Sequence, residues 1–256
     1  MSQNGDQVSG ILVLTPAESK RLLGKAVAAL PEVRRAMQKG RIIVANGTTT
    51  AFVAEELLGQ EVPKFRFAAG YISRGRLDST GEAERIPAFV LVNGQPVTVE
   101  VAEAIREFEA GDVFIKGANA VDPNGHVGIL LGNDRGGTIG MALGTLTARG
   151  CTLIVPVGLE KLVPSVIEAA RTCGITRLKY AMGGKVGLMP VVNATVITEI
   201  EALHVLTGVE ATHVSSGGIG GSEGAVVLVV EGTDAQVSSA FELVQHIQGE
   251  PPIQVD

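Results

Sequence analysis

The chain has 256 residues, 45% of them hydrophobic and 19% charged, which is ample for a real core and far from a disordered composition. A net charge of −6, an aromatic content of 4% and the absence of Trp exclude the basic footprint and the base-stacking platforms of a general nucleic-acid binder. Glycine is abundant at 33 residues but has no collagen period, and no apolar run approaches the roughly 18 residues of a membrane span. The opening MSQNGDQVSG lacks the basic start and apolar stretch of a signal peptide, so residues 1–10 read as a flexible tail on a soluble, cytoplasmic protein. Cys151 and Cys173 are too few for a disulfide scaffold. The four scattered histidines show no metal-ligand spacing, and no cofactor is implied.

In chain order, Ile11–Leu14 reads as a strand. Thr15-Pro16, with Glu18 at the third helical position, opens a helix, and Pro31 restarts a second one that ends at Gly40. Arg41–Gly59 divides into a buried strand, a Gly/Thr turn and an amphipathic helix carrying Phe52, Val53 and Leu57. Strands are predicted at Phe65–Ile72 and Ala88–Val92, the latter leading into the hairpin signal Asn93-Gly94. A helix over Val99–Glu109 and a strand at Asp112–Ile115 come next. The pattern then settles into helix Gly137–Arg149, strand Cys151–Val155, helix Pro164–Cys173 and strand Leu178–Met182.

Apolar strands alternating with long helices imply an open, mostly parallel α/β sheet covered on both faces. The tail changes rhythm: strand Val191–Ile197, helix Glu199–Leu206, strands Ala211–Ser215 and Ala225–Glu231, helix Asp234–Gln248, strand Ile253–Val255. That β-α-β-β-α-β order is a ferredoxin-like signature. The expected division is an α/β domain over 11–184 and a ferredoxin-like unit over 185–256.

Three loops carry chemistry. Asn46-Gly47-Thr48-Thr49-Thr50 joins a strand to a helix start, where free N–H groups and hydroxyls suit an anion; the plainer reading is a threonine cap on an ordinary loop. It is neither a Walker A loop nor a G-x-G-x-x-G fingerprint. Lys116-Gly117-Ala118-Asn119-Ala120-Val121-Asp122 follows a strand at its carboxyl end, the ligand crevice of a parallel sheet. Lys116, Gly117 and Asn119 read as binding residues, whereas Asp122 is either an acid–base group or part of a tight Asp-Pro-Asn-Gly turn. Gly132–Thr138 opens the next helix. There Arg135, Gly136, Gly137 and Thr138 suit a phosphate or carboxylate, unless Arg135 merely pairs with Asp134 on the surface.

The stretches ANGTTTAF (Ala45–Phe52) and KGANAVDPNGHVG (Lys116–Gly128), the latter followed by a helix and the strand CTLIVPVG, resemble the superfamily of ribose-5-phosphate isomerase, glucosamine-6-phosphate deaminase and CoA transferase. The likeness spans roughly Gly40–Gly158. It implies an open parallel α/β fold, in some members with a ferredoxin-like subdomain. Where the isomerases show Asp-Gly-Ala-Asp-Glu, this chain has Lys116-Gly117-Ala118-Asn119-Ala120, so isomerisation by the family's carboxylates is not expected. The transferases' nucleophilic glutamate loop is absent from the sequence, and no helix-turn-helix precedes the region.

The glycine-rich stretch Gly217–Gly224 reads as a mobile hairpin or a binding lid, with His213 beside it as a half-buried residue or a base. Together these features predict a protein, expected to be a homo-oligomer, that binds a small anionic metabolite, a phosphorylated sugar or nucleotide-like ligand. Nucleic acid and membrane are not expected partners. Two classes stay open: an enzyme with altered acid–base residues drawn from Asp122, Asp134 and Glu100, or a non-catalytic sensor using the same pocket.

Overall fold

The computed structural model describes residues 7–255. Residues 1–6 of the expected tail lie outside that range, and residues 7–10 are not a tail, because they begin strand β1 (Gln7–Leu14). The molecule is an α/β protein built on a six-stranded sheet. Its strands are β2 (Arg41–Val44), β5 (Phe89–Val92), β6 (Gln95–Val97), β7 (Val113–Ile115), β10 (Thr152–Pro156) and β12 (Thr195–Ile197). The spatial order is β12-β10-β7-β2-β5-β6, with the first four strands parallel and β5 and β6 an antiparallel edge. Asn93 and Gly94 at the β5–β6 turn both take positive φ (48° and 76°), the conformation that the Asn-Gly signal demands.

Side chains alternate across this sheet and feed two cores. On one face Ile42, Val44, Val113, Ile115 and Ile154 pack under helices α1 (Pro16–Ala29), α3 (Thr48–Leu58), α8 (Glu199–Thr207) and α9 (Asp234–Ile247). On the other, Ile43, Phe114, Leu153 and Val155 pack under α5 (Val101–Arg106) and α6 (Gly137–Arg149). Burying an aliphatic or aromatic side chain of this kind contributes about 1.5–3 kcal/mol. That both strand faces are covered explains why the strands read as continuous apolar runs. The remaining helices are α2 (Pro31–Gln38), α4 (Lys64–Phe67) and α7 (Val166–Thr172).

Several local expectations are corrected. The predicted strand Phe65–Ile72 is instead α4 followed by β3 (Gly70–Ser73), which pairs with β4 (Arg76–Ser79) through a turn with positive φ at Arg74 and Gly75. Leu178–Met182 forms no strand, and Tyr180 and Met182 are left exposed at 81% and 73%. A small antiparallel sheet joins β8 (Ala120–Val121), β9 (Val127–Leu131) and β11 (Gly187–Val191). The single strand expected over Val191–Ile197 therefore splits between β11, beside β9, and β12, beside β10.

A separate antiparallel sheet is present in the tail, but it is assembled differently from the expected 185–256 unit. Its order is β1-β14-β13, formed by β13 (Glu210–Gly217), β14 (Ala225–Thr233) and the N-terminal β1. Ile253–Val255 forms no strand, since Pro251 and Pro252 ahead of it have no N–H to give a ladder. Leu12, Leu14, Val226, Leu228 and Val230 from this sheet share one core with Ile42 and Val113 of the central sheet, so the boundary at Gly184 separates neither pairing nor packing. Among the described residues no helix is long and apolar enough to cross a membrane.

Candidate binding cleft

Three parallel strands, β2, β7 and β10, end side by side, and the loops leaving them open onto a cleft of about 490 Å³. Loop one is fixed by its own polar groups. The Asn46 Nδ2 group donates to the carbonyls of Phe67 (3.1 Å) and Ile86 (2.8 Å). The Thr50 hydroxyl donates to Ala45 O at 2.6 Å and lies 3.1 Å from Gly47 O. Thr50 is therefore a buried brace and not a ligand contact. A Cβ on residue 47 would stand 2.9 Å from that hydroxyl, which is why glycine occupies the position. Asn46, Gly47, Thr48 and Thr49 line the cleft.

The second loop supplies Lys116, Gly117 and Asn119 to the same cleft. Lys116 Nζ donates to Asn46 O at 3.1 Å, tying the first two loops together. Asn119 Oδ1 accepts the Leu130 N–H at 3.0 Å, so this amide holds β9 in place as well as facing the cleft. The third loop leaves β9 of the small antiparallel sheet and brings Gly132, Asn133, Gly136, Gly137 and Thr138, while the segment after β10 brings Lys161. Positive φ at Gly136 (82°) and Gly137 (57°) lets the chain turn directly into α6.

Helices α3 and α6 begin at Gly47 and Gly136 with neither a side-chain cap nor an acid in the first turn, whereas α1, α8 and α9 carry full capping boxes from Thr15, Thr198 and Thr233. First-turn N–H groups of α3 and α6 thus have no side-chain acceptor, and each helix adds a partial positive charge at the cleft. Side-chain charge has the same sign: Arg85, Lys116, Lys161 and Lys185 line the cleft against one carboxylate, Asp78, on a chain of net charge −6. Arg85 donates from Nη2 to the Thr80 carbonyl, and its buried Nε has no hydrogen-bond partner among the described residues. Burial, with a smaller contribution from the neighbouring charge of Lys161, brings the Lys116 amine down to about 8.

The three proposed acid–base residues are not gathered here. Asp122 accepts from the backbone N–H groups of Asn124 (2.9 Å), His126 (3.1 Å) and Val166 (2.9 Å), and from the His126 ring (3.2 Å). It is the anchor of the β8–β9 turn, as its turn reading anticipated, and does not line the cleft. Asp134 is exposed beside the third loop, and Glu100 is exposed at the start of α5; neither lines the cleft. Arg135 is likewise exposed and outside it. His213 bonds Ser216 at 2.7 Å, and residues 217–224 contribute nothing to the lining.

Sequence reasoning missed the β3–β4 hairpin, Arg85, Lys161 and Lys185. Lys161 follows β10 at its carboxyl end and was accessible to the rule that found Lys116; no comparable signal marks Lys185. Among the described residues no group of three or more His, Cys, Asp or Glu side chains could hold a metal. Comparison with protein-family models, curated proteins and solved structures finds no match.

Proposed function

We propose that the cleft binds a small anionic metabolite of the phosphorylated-sugar or nucleotide-like class. The observation that carries this reading is the meeting of two uncapped helix N-termini with four cationic side chains and one carboxylate in one 490 Å³ cleft. Helix N-termini and cations acting together favour phosphate or carboxylate groups over neutral ligands. Asp122 is consumed by structure, and Asp134 and Glu100 lie elsewhere, which weighs against a carboxylate proton shuttle. A non-catalytic sensor is the second reading, favoured by polar lining side chains that, Asp78 apart, are amides, hydroxyls and cations.

Thermal-shift titration tests the binding claim. Sugar phosphates and nucleotides should raise the melting temperature, by about 2.7 kcal/mol of added stability at a hundredfold excess over Kd. Replacing Thr48 and Thr49 by valine should remove most of the rise. An equal rise in the double variant, or none with any phosphate in the native protein, refutes the assignment.

A further inference from the structure

Lys116 differs from the other lysines of the chain. It is the first residue after β7, an inner strand of the central sheet, and it lines the cleft between the loops that follow β2 and β10. Lys20, Lys25, Lys64 and Lys161 each have a carboxylate within 4 Å; among the described residues Lys39, Lys116, Lys179 and Lys185 have none, and of these four Lys116 alone is not exposed. The charge that acts on it is of like sign, from Lys161, whose own amine is held by the Ala118 carbonyl at 3.1 Å. The bond from Lys116 to Asn46 O is made through an N–H, so it fixes the nitrogen while leaving the lone pair of the neutral amine free. These are the conditions, desolvation beside another cation, under which a lysine becomes a nucleophile.

We propose that Lys116 forms an imine with an aldehyde or ketone group carried by the anionic ligand. This rests on the anion-binding reading above and adds a chemical requirement to it, a carbonyl group within reach of Lys116. The amine lone pair attacks the carbonyl carbon, a C–N bond forms, and the C=O π pair moves onto oxygen. That oxygen then leaves as water with the two amine hydrogens, and the C=N bond remains. No oxidant or reductant takes part. Arg85, Lys185 and the helix N-termini of α3 and α6 are left to hold the anionic end.

The probe is pyridoxal 5′-phosphate, a phosphate-bearing aldehyde, added below stoichiometry to the native protein, reduced with borohydride and located by peptide mapping. Lys116 should be labelled at least about tenfold faster than any other of the eight lysines. Its rate should rise with pH to a midpoint near 8, set by burial and then by the charge of Lys161; Arg85, Lys185 and Asp78 are the other charged groups that face the cleft. Lys116→Arg keeps the charge but not the nucleophile. It should lose the label, while the slow labelling of the other lysines stays as in the native protein.

Label spread over exposed lysines, or confined to Lys161 or Lys185, overturns the imine. If phosphate stabilises the native protein while Lys116 stays unlabelled, the imine falls and anion binding stands. Labelling of Lys116 that phosphate neither slows nor accompanies with stabilisation supports the amine chemistry and removes the anion reading.

Discussion

Two buried carboxyl groups show how environment separates a brace from a proton store. At Asp122 burial acts to raise the pKa, but the backbone donors of Val166, His126 and Asn124 outweigh it and hold the group below its ordinary value. Its stabilisation is therefore present above the unfolded-state value near 3.9 and is lost as pH falls through the lowered one. Asp122→Ala strands three N–H groups and should destabilise by about 3 kcal/mol or more, measured by urea unfolding, while the phosphate-induced melting shift persists. Loss of that shift at unchanged stability would contradict the structural role. Glu199 behaves oppositely. Burial, then the charge of Glu160, pushes it up to about 7; among the described residues its Oε1 has no hydrogen-bond partner, while Oε2 accepts from Leu159 N at 2.9 Å. The folded state keeps a proton that the unfolded state has released, so stability should fall as pH rises from about 4.5 to 7 and level off above. Glu199→Gln should flatten that slope and gain on the order of 2 kcal/mol at pH 8; an unchanged slope would exclude Glu199 as its source.

Between elements, the contact of α9 with β1 is the most sharply specified. A Cβ built on Gly10 would meet the Phe241 ring at 2.4 Å, so the glycine makes room for the aromatic. Gly10→Ala should destabilise by about 1–3 kcal/mol through overpacking, and adding Phe241→Leu should recover part of that loss; strictly additive effects would show that the two do not touch. Phe241 is only partly buried, so Phe241→Ala alone belongs below the 3–5 kcal/mol of a fully buried phenylalanine.

Elements with a local signature were legible in the sequence. Helix α6 matches its predicted limits, Gly137–Arg149, because an Arg-Gly stop and a glycine start bracket one amphipathic run. The Thr15–Glu18 capping box forms as its spacing requires. Elements that depend on distant partners were not legible. β9 is made a strand by β11, some sixty residues on, and the two-residue β8 has too little pattern to announce itself. The apolar residues of Leu178–Met182 suggested a strand, yet only a single bridge forms at their end, where Met182 O accepts the Leu77 N–H at 3.0 Å beside the Leu77–Gly183 pair. The cleft divides in the same way: the loops after β2 and β7 were found from strand-to-loop order, while Lys185 and the β3–β4 hairpin arrive by tertiary folding alone.

At the scale of the molecule, two cores back a single sheet, and the first strand closes the last antiparallel layer. Residues 185–256 hold β11 and β12, which need β9 and β10, and β14, which needs β1. Expressed alone, that segment should lack a cooperative thermal transition in circular dichroism. A cooperative transition would restore the independent tail unit. The resemblance in the Gly40–Gly158 region anticipated the open, mostly parallel sheet, but it had no means of indicating which strand would complete the tail.

The pairing of Val13 with Val227 sets an order of events during synthesis. At about 5–20 residues per second the ribosome takes roughly 10–40 s to travel between them. Throughout that interval Leu12 and Leu14, fully enclosed in the finished protein, have no β14 to cover them. The nascent chain thus carries an unpaired apolar strand for longer than most elementary folding events last. Its solubility in that window depends on whatever shelters β1 until the final hairpin emerges.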